Sequence, residues 1–214
     1  NLVAARPVVR ASAPRVLAVD DDGHAEERDP AARTARLPSM ALRAARAALE
    51  RGAPVLVQVP RRGYLPSVAC ARCRTIARCR DCMGPLSLSD RDAEGAVCRW
   101  CGRIDPALRC RRCGAEAIRA VVVGTRRTAE ELGRAFPGTA VITSAGDAVH
   151  AEIGPGPALV IATPGAEPRA PDGYGAALLL DSWSLLGRQD LRAAEDTLRR
   201  WMAAAAQVHA RADG

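Results

Sequence analysis

Apolar and polar positions follow a rhythm of helix and then strand on both sides of a central segment that lacks it. Ahead of that segment, "MALRAARAALERG" predicts a helix that is capped by Ser39, stops at Gly52 and has three apolar residues on one face, Leu42, Ala45 and Leu49. The stretch "PVLVQVP" then predicts a short buried strand over about residues 54–59. The first part of the pattern is therefore a helix that leads into a buried strand.

The same rhythm resumes after residue 114. A strand is predicted near 117–124, followed by the helix "TRRTAEELGRAF" with Thr125 as its cap and by three apolar strands, "TAVITS", "ALVIATP" and "GAALLLD". A long helix is predicted from Asp190, with one apolar stripe formed by Leu191, Ala194, Leu198 and Met202. Strands of continuous apolar character are typical of sheets that are covered by helices on both faces. The pattern predicts a parallel three-layer α/β sheet.

The central segment divides the chain into three regions. Residues 61–114 contain cysteine, glycine and turn residues without a long apolar period, which indicates an insertion. Residues 1–37 show little periodicity and predict an irregular connector. The sequence therefore predicts a connector over 1–37, a discontinuous α/β lobe over 38–60 and 115–214, and an inserted module over 61–114.

Eight cysteines lie in the insertion as four Cys-x-x-Cys pairs, namely Cys70 and Cys73, Cys79 and Cys82, Cys98 and Cys101, and Cys110 and Cys113. Each such turn directs two sulfurs to one point, and two turns complete a tetrahedral Cys₄ zinc site. Packing of small apolar side chains does not explain this spacing. The pattern predicts two structural Zn²⁺ ions, because four protein ligands leave no open position for a catalytic water.

Spacing alone leaves the pairing of the turns open between sequential, crossed and nested arrangements. The gap between Cys73 and Cys79 is only five residues, which makes it awkward for the two adjacent pairs to share one metal. A nested arrangement is geometrically natural. It would have an inner set of Cys79, Cys82, Cys98 and Cys101, and an outer set of Cys70, Cys73, Cys110 and Cys113.

Charge and composition narrow the classes of function. The net charge of +7 arises in residues 61–114, which hold 12 Arg and five Asp or Glu, and this concentration favours DNA or RNA as a partner. Eight thiolates with two zinc ions would reduce the charge of that region to about +3. The chain has no Lys, which excludes an orthodox phosphate-binding P-loop and a Schiff-base enzyme.

Compartment is also indicated by the sequence. No apolar run of about 20 residues and no signal-peptide pattern is present, so we expect a cytoplasmic protein without membrane contact. Cysteines in that reducing compartment favour metal over disulfides.

At this point the residues resemble a known family, the replication-restart proteins called PriA or primosomal protein N′. The stretch "RRGYLPSVACARC", residues 61–73, is similar to the family's Arg-Arg-Gly-Tyr signature that leads into an eight-cysteine binuclear zinc insert. "VVVGTRRTAEELGRAFPGTAVI" resembles the second helicase lobe after that insert, and "DLRAAEDTL", residues 190–198, resembles its Asp-x-Arg-Ala-x-Glu segment. The resemblance implies a RecA-like helicase second lobe with a zinc-ribbon insert, and nested zinc pairing.

Two departures from the family pattern concern the ATPase. Active members end this lobe with Thr-Gln-Val-Ala-Gly-Arg-Ala-Gly-Arg, but residues 202–210 read "MAAAAQVHA", which places Gln207 and Ala210 at the arginine positions. The Gly-Thr-Gln-x-x-x-Lys-Gly segment appears as "ATPGAEPR", residues 162–169, with only Thr163 kept of its polar residues. Neutral side chains cannot stabilise transition-state charge, so no catalytic residue is predicted and ATP binding is placed in doubt. We expect a helicase-shaped protein without ATPase chemistry, similar to the degenerate actinobacterial members.

The resemblance implies a monomeric, nucleoid-associated replication restart factor that binds forked or single-stranded DNA, primosome proteins and the machinery that loads the replicative helicase. Arg61, Arg62 and Trp100 are the candidate DNA contacts, with Trp100 either stacking on a base or bracing the cysteine turn. Two alternatives stay open here: an active ATP-dependent 3′ to 5′ DNA helicase, and a zinc-ribbon protein of transcription or RNA metabolism.

Overall fold

A computed structural model of the protein describes residues 4–17, 37–60, 67–73, 75–88, 95–121, 124–181, 183–186 and 190–210. The chain divides into two compact units. The first comprises Asn1–Arg61, Gly124–Leu180 and Leu198–Gly214, and the second comprises Arg62–Val123 and Asp181–Thr197. Among the helices of the described ranges, none has the length and apolar character needed to span a bilayer.

Helices and strands follow one another in an order close to the predicted rhythm. In chain order they are α1 (Arg6–Ser12), α2 (Ser39–Glu50), β1 (Val55–Gln58), β2 (Ser67–Cys70), β3 (Leu86–Leu88), β4 (Ala96–Cys98), β5 (Ile104–Asp105), β6 (Ile118–Val121), α3 (Thr125–Ala135), β7 (Ala140–Ser144), β8 (Ala158–Ala162), β9 (Ala176–Leu179), α4 (Trp183–Leu186) and α5 (Ala193–Ala205).

The first unit contains a four-stranded parallel sheet in the order β7-β8-β1-β9. Val55 at the start of β1 lies opposite Leu159 of β8 on one side and Ala176 of β9 on the other. All five residues of β8 and all four of β1 are buried, as expected for strands whose two faces are both covered. The predicted parallel α/β sheet is confirmed.

Each face of this sheet has its own apolar core. On one face, Val57 and Ile161 pack with residues of α2 and α3, including Ala48 and Leu132. On the other face, Leu56 and Val160 pack with the fully buried Tyr174 and with Ala204 of α5. The alternation of neighbouring strand residues between two cores follows from the two-residue period of a β-strand.

The ends of the helices differ in detail from the predictions. Gly52, with φ +78°, ends α2 as predicted. Ser39 and Thr125, however, are the first helical residues of α2 and α3, and Pro38 and Gly124 occupy the capping positions. The predicted caps are therefore wrong by one residue.

Two larger corrections concern the ends of the chain. The predicted connector contains the short exposed helix α1, for which Pro7 in the first turn is favourable because proline lacks only an N–H that would be unpaired there. Helix α5 begins at Ala193 rather than Asp190 and does not bury the predicted stripe. Ala193, Thr197 and Ala204 are buried instead, while Leu191, Ala194, Leu198 and Met202 are exposed.

The second unit contains a five-stranded antiparallel sheet in the order β5-β4-β3-β2-β6. Strand β6 was expected to resume the parallel sheet, but it pairs with β2, with Ile118 opposite Cys70. The apolar core of this unit is small and includes two cysteines; its buried members are Val68, Cys79, Leu86, Ala96 and Cys98. The predicted boundaries of lobe and insert stay a prediction.

Candidate metal centres

The four Cys-x-x-Cys pairs adopt one repeated turn. In each turn the backbone N–H of the first cysteine donates to the carbonyl oxygen five residues later, at distances of 2.8 to 2.9 Å; the pairs are Cys70 to Thr75, Cys79 to Gly84, Cys98 to Arg103 and Cys110 to Ala115. This bond closes a tight hairpin around the two sulfurs. The residues that build each site thus come from local turns at the ends of short strands.

In three of the turns, the residue four positions after the first cysteine has a backbone in the left-handed region, with a positive φ. Gly102 has φ +75° and Gly114 has φ +70°, and the N–H of each donates to the carbonyl of the first cysteine of its turn at 2.9 Å. Met83 holds the same place in the turn of Cys79, with φ +58°. A side chain at this conformation is unfavourable, so Met83 marks a strained position beside the sulfurs.

The turns bring the sulfurs together in two groups of four. One group is Cys70, Cys73, Cys110 and Cys113, and the other is Cys79, Cys82, Cys98 and Cys101, with the sulfurs of each group within 4.8 Å of one another. The nearest sulfurs are 3.5 and 3.6 Å apart in the first group and 3.4 and 3.7 Å apart in the second. The first group contains the residues of the outer set of the nested arrangement, and the second group contains those of its inner set.

The sulfur distances match metal coordination. In a tetrahedral site with metal–sulfur bonds of about 2.3 Å, the sulfurs lie about 3.8 Å apart. A disulfide would need about 2.05 Å between two sulfurs. Both groups can therefore hold a metal ion, and four thiolates each would close the coordination shell.

Local hydrogen bonds and burial give the thiols of the two groups unequal acidity. The hydroxyl and backbone N–H of Thr75 lower the pKa of Cys73 to about 6, and backbone N–H groups, chiefly that of Cys82, lower the pKa of Cys79 to about 7. The N–H of Gly84 lowers the pKa of Cys82, but burial and the neighbouring thiols outweigh it and raise the pKa to about 12. Metal binding must therefore displace protons from the less acidic thiols.

Trp100 is fixed beside the second group. Its backbone N–H lies 3.4 Å from the sulfur of Cys98, and its side chain lies over Gly84, where a Cβ would be 2.8 Å from Trp100 Cγ. The side chain is nevertheless 51% exposed. Both predicted roles of Trp100 are thus compatible with its position, because it contacts the cysteine turn and about half of its surface is open to solvent. Gly84 and Thr75 were not singled out from the sequence, although each follows the second cysteine of a pair by two residues.

Ion pairs neutralise part of the arginine excess in this unit. Arg80 pairs with Asp105 at 3.5 Å, Arg103 with Asp81, and Arg109 with Glu116. Arg72, Arg78, Arg99, Arg111 and Arg112 form no ion pair with any carboxylate of the described residues. Arg111 donates instead toward the sulfur of Met83 at 3.1 Å. Arg61 and Arg62, the other predicted DNA contacts, lie outside the described residues.

Known proteins of similar sequence test the predicted resemblance to the PriA family. The chain is 74% identical over all 214 residues to the "Probable replication restart protein PriA" of Mycobacterium tuberculosis, and equally to that of Mycobacterium leprae. The resemblance to PriA is confirmed. The "Replication restart protein PriA" of Thermotoga maritima is 34% identical over 90 residues, which are 42% of this chain and 12% of that protein.

The match to the mycobacterial PriA proteins is complete for this chain but partial for the relatives. The chain spans about a third of their length, 33% in each case. No family model matches the chain.

Proposed function

We propose that the chain is part of a replication restart factor that binds abandoned or stalled forks and promotes primosome assembly and reloading of the replicative helicase. The observation that carries this proposal is the 74% identity over the whole chain to mycobacterial PriA proteins. The test is reloading of a replicative helicase onto forked DNA by the full-length protein. A full-length protein that neither binds forks nor supports reloading would contradict the proposal.

The proposal gives the two parts of the chain separate roles. Residues 38–60 and 115–214 would form a RecA-like second helicase lobe, which the parallel sheet with two covered faces supports. Residues 61–114 would form the zinc insert. Limited proteolysis of the zinc-loaded chain should cut near residues 61 and 114 if these are the boundaries.

Two Zn²⁺ ions are proposed as structural cofactors, with Cys70, Cys73, Cys110 and Cys113 as ligands of one and Cys79, Cys82, Cys98 and Cys101 as ligands of the other. Support comes from the sulfur distances and from the small apolar core of the second unit. Elemental analysis should give two zinc ions per chain. Cys98→Ser should reduce this to one while most of the circular dichroism of the α/β unit is retained, and a value of two would contradict the ligand assignment.

The restart factor is proposed to act without ATP hydrolysis of its own. Gln207 and Ala210 stand where active members of the family have arginines, and the backbone of Gln207 pairs with that of Tyr174 beside the sheet. DNA-stimulated ATP hydrolysis by the full-length protein tests this directly. No turnover is expected, and steady turnover would favour the alternative of an active DNA helicase.

DNA contact is proposed for the half-exposed Trp100 and for the arginines of the second unit that form no ion pair with a described carboxylate. Stacking of one base on an aromatic ring contributes about 1–3 kcal/mol, so Trp100→Ala should weaken binding of single-stranded DNA at least about fivefold. Ile104→Ala is the matched control, since Ile104 is also exposed in the second unit but is not aromatic. A preference of the chain for RNA over forked DNA would favour the transcription or RNA alternative.

A further inference from the structure

The carboxyl edge of the parallel sheet is closed by the chain itself. Strands β1, β7 and β8 end at Gln58, Ser144 and Ala162, and in open α/β sheets ligands bind outside these ends. Here the segment 163–168 lies against the edge. The N–H of Thr163 donates to the carbonyl of Ser144, and the hydroxyl of Ser144 donates to the carbonyl of Ala166 at 2.6 Å.

Further bonds fix the carbonyl groups of this segment from other elements of the first unit. The buried hydroxyl of Tyr174 donates to the carbonyl of Pro168 at 2.8 Å, and the guanidinium of Arg200 donates to the carbonyl of Pro164 at 3.3 Å. The N–H of Ala166 donates to the carbonyl of Thr163 at 2.8 Å and closes a turn around Pro164 and Gly165. The segment is therefore held in one conformation over the strand ends.

Glu167 supplies the negative charge at this edge. Its Oε1 accepts from Nε2 of Gln58 at 2.6 Å, and its Oε2 accepts from the backbone N–H of Gly165 at 2.8 Å. Gln58 is only 2% exposed, so its amide requires a partner inside the protein. Burial and the charge of Glu167 also raise the pKa of Tyr174 to about 12.

We propose that Glu167 is an internal anion, whose carboxylate fills an anion-binding position formed by the Gln58 amide and the Gly165 N–H and so denies this edge to phosphate. The inference rests on the proposed function, because a restart factor without ATPase activity has no need of a phosphate at the strand ends. A phosphate would need the same two donors and would be repelled by the carboxylate. Removal of the carboxylate frees the Gln58 amide and the Gly165 N–H for phosphate. The guanidinium of Arg200, which donates to the carbonyl of Pro164, adds a positive charge on the same segment.

The test is binding of inorganic phosphate to the zinc-loaded 214-residue chain and to Glu167→Ala, measured by calorimetry and by thermal melting at constant ionic strength. Glu167→Ala should bind phosphate at least about tenfold more tightly than the wild-type chain and should show a saturable rise in melting temperature. Glu130→Ala is the matched control, because Glu130 is an exposed acid of the same unit that pairs with Arg126 on α3. This control should respond to phosphate like the wild-type chain.

A second variant keeps the test decisive if Glu167→Ala does not fold. Glu167→Gln keeps the side-chain volume and one acceptor oxygen, so it frees one of the two donors and removes the repelling charge. It should bind phosphate more tightly than the wild-type chain but less tightly than Glu167→Ala. If neither variant gains phosphate affinity over the wild-type chain and Glu130→Ala, the role of Glu167 is overturned. ATP turnover by the full-length protein would contradict the proposed function instead, so the two failures are distinguishable.

Discussion

Trp100 lies directly over Gly84, so closely that a Cβ at Gly84 would be 2.8 Å from Trp100 Cγ and 2.9 Å from the sulfur of Cys98. Neither residue is in the other's turn. Gly84 follows the pair Cys79 and Cys82, whereas Trp100 lies between Cys98 and Cys101. The contact therefore joins the two turns that form the inner cysteine group, and it makes Gly84 a sensitive position.

We expect Gly84→Ala to loosen the inner cysteine group. The added methyl must displace Trp100 or the Cys98 sulfur, and overpacking of this kind costs about 1–3 kcal/mol. The measurements are the rate of zinc loss to a chelator and the tryptophan fluorescence. Gly154→Ala is the control, because nothing lies within 4 Å of its Cβ position. Chelator resistance equal to that of the wild-type chain would contradict this packing.

Met83→Gly should stabilise the second unit. A non-glycine residue in the left-handed region costs about 1–2 kcal/mol, and the extra backbone entropy of glycine offsets part of the gain. The net increase in the free energy of unfolding should be about 0.5–1 kcal/mol in urea with zinc in excess. The reciprocal change Gly102→Ala, at φ +75° in an equivalent turn, should be destabilising by a similar amount. A loss of stability in Met83→Gly would show that the contact with Arg111 outweighs the strain.

Zinc affinity should fall as the pH falls from about 8 to about 5. Cys82 and Cys113, whose pKa values are raised to about 12 and about 11, keep their protons at neutral pH, so zinc binding there must release them. Cys73 and Cys79, with pKa values of about 6 and about 7, add protons to be displaced only at lower pH. The decline should therefore steepen below about pH 7. Chelator competition across this range measures it, and a flat profile would exclude thiolate coordination.

Polar substitution of the exposed stripe of α5 should have little effect on folding of the 214-residue chain. Leu198→Gln and Met202→Gln should each change the free energy of unfolding by no more than about 0.5 kcal/mol, because both side chains are already more than half exposed. Ala204→Leu, on the buried face, should cost about 1–3 kcal/mol. Urea denaturation of the three variants compares the two faces, and a large loss in Leu198→Gln would contradict the observed orientation.

The sequence by itself determined the parallel α/β sheet and the presence of four metal-type cysteine turns. Continuous apolar runs such as "ALVIA" can only be buried on two faces, and a Cys-x-x-Cys turn is closed by bonds within six residues. Both features are local, so pattern and spacing were sufficient to predict them. The family resemblance was carried by the same local features.

Only the tertiary structure decided which cysteines meet, which sheet contains β6 and which face of α5 is buried. Spacing left the pairing of turns open. The inner group forms where β3 pairs with β4, with Leu86 opposite Cys98, and the outer group forms where β2 pairs with β6, with Cys70 opposite Ile118. Strand β6 has the apolar character of a lobe strand, but its hydrogen-bond partner is β2. Helix α5 buries the small residues Ala193, Thr197 and Ala204, and Ala204 packs with Val160 and Tyr174. The apolar period of the sequence shows which residues could face a core, but the packing partners decide which face is buried.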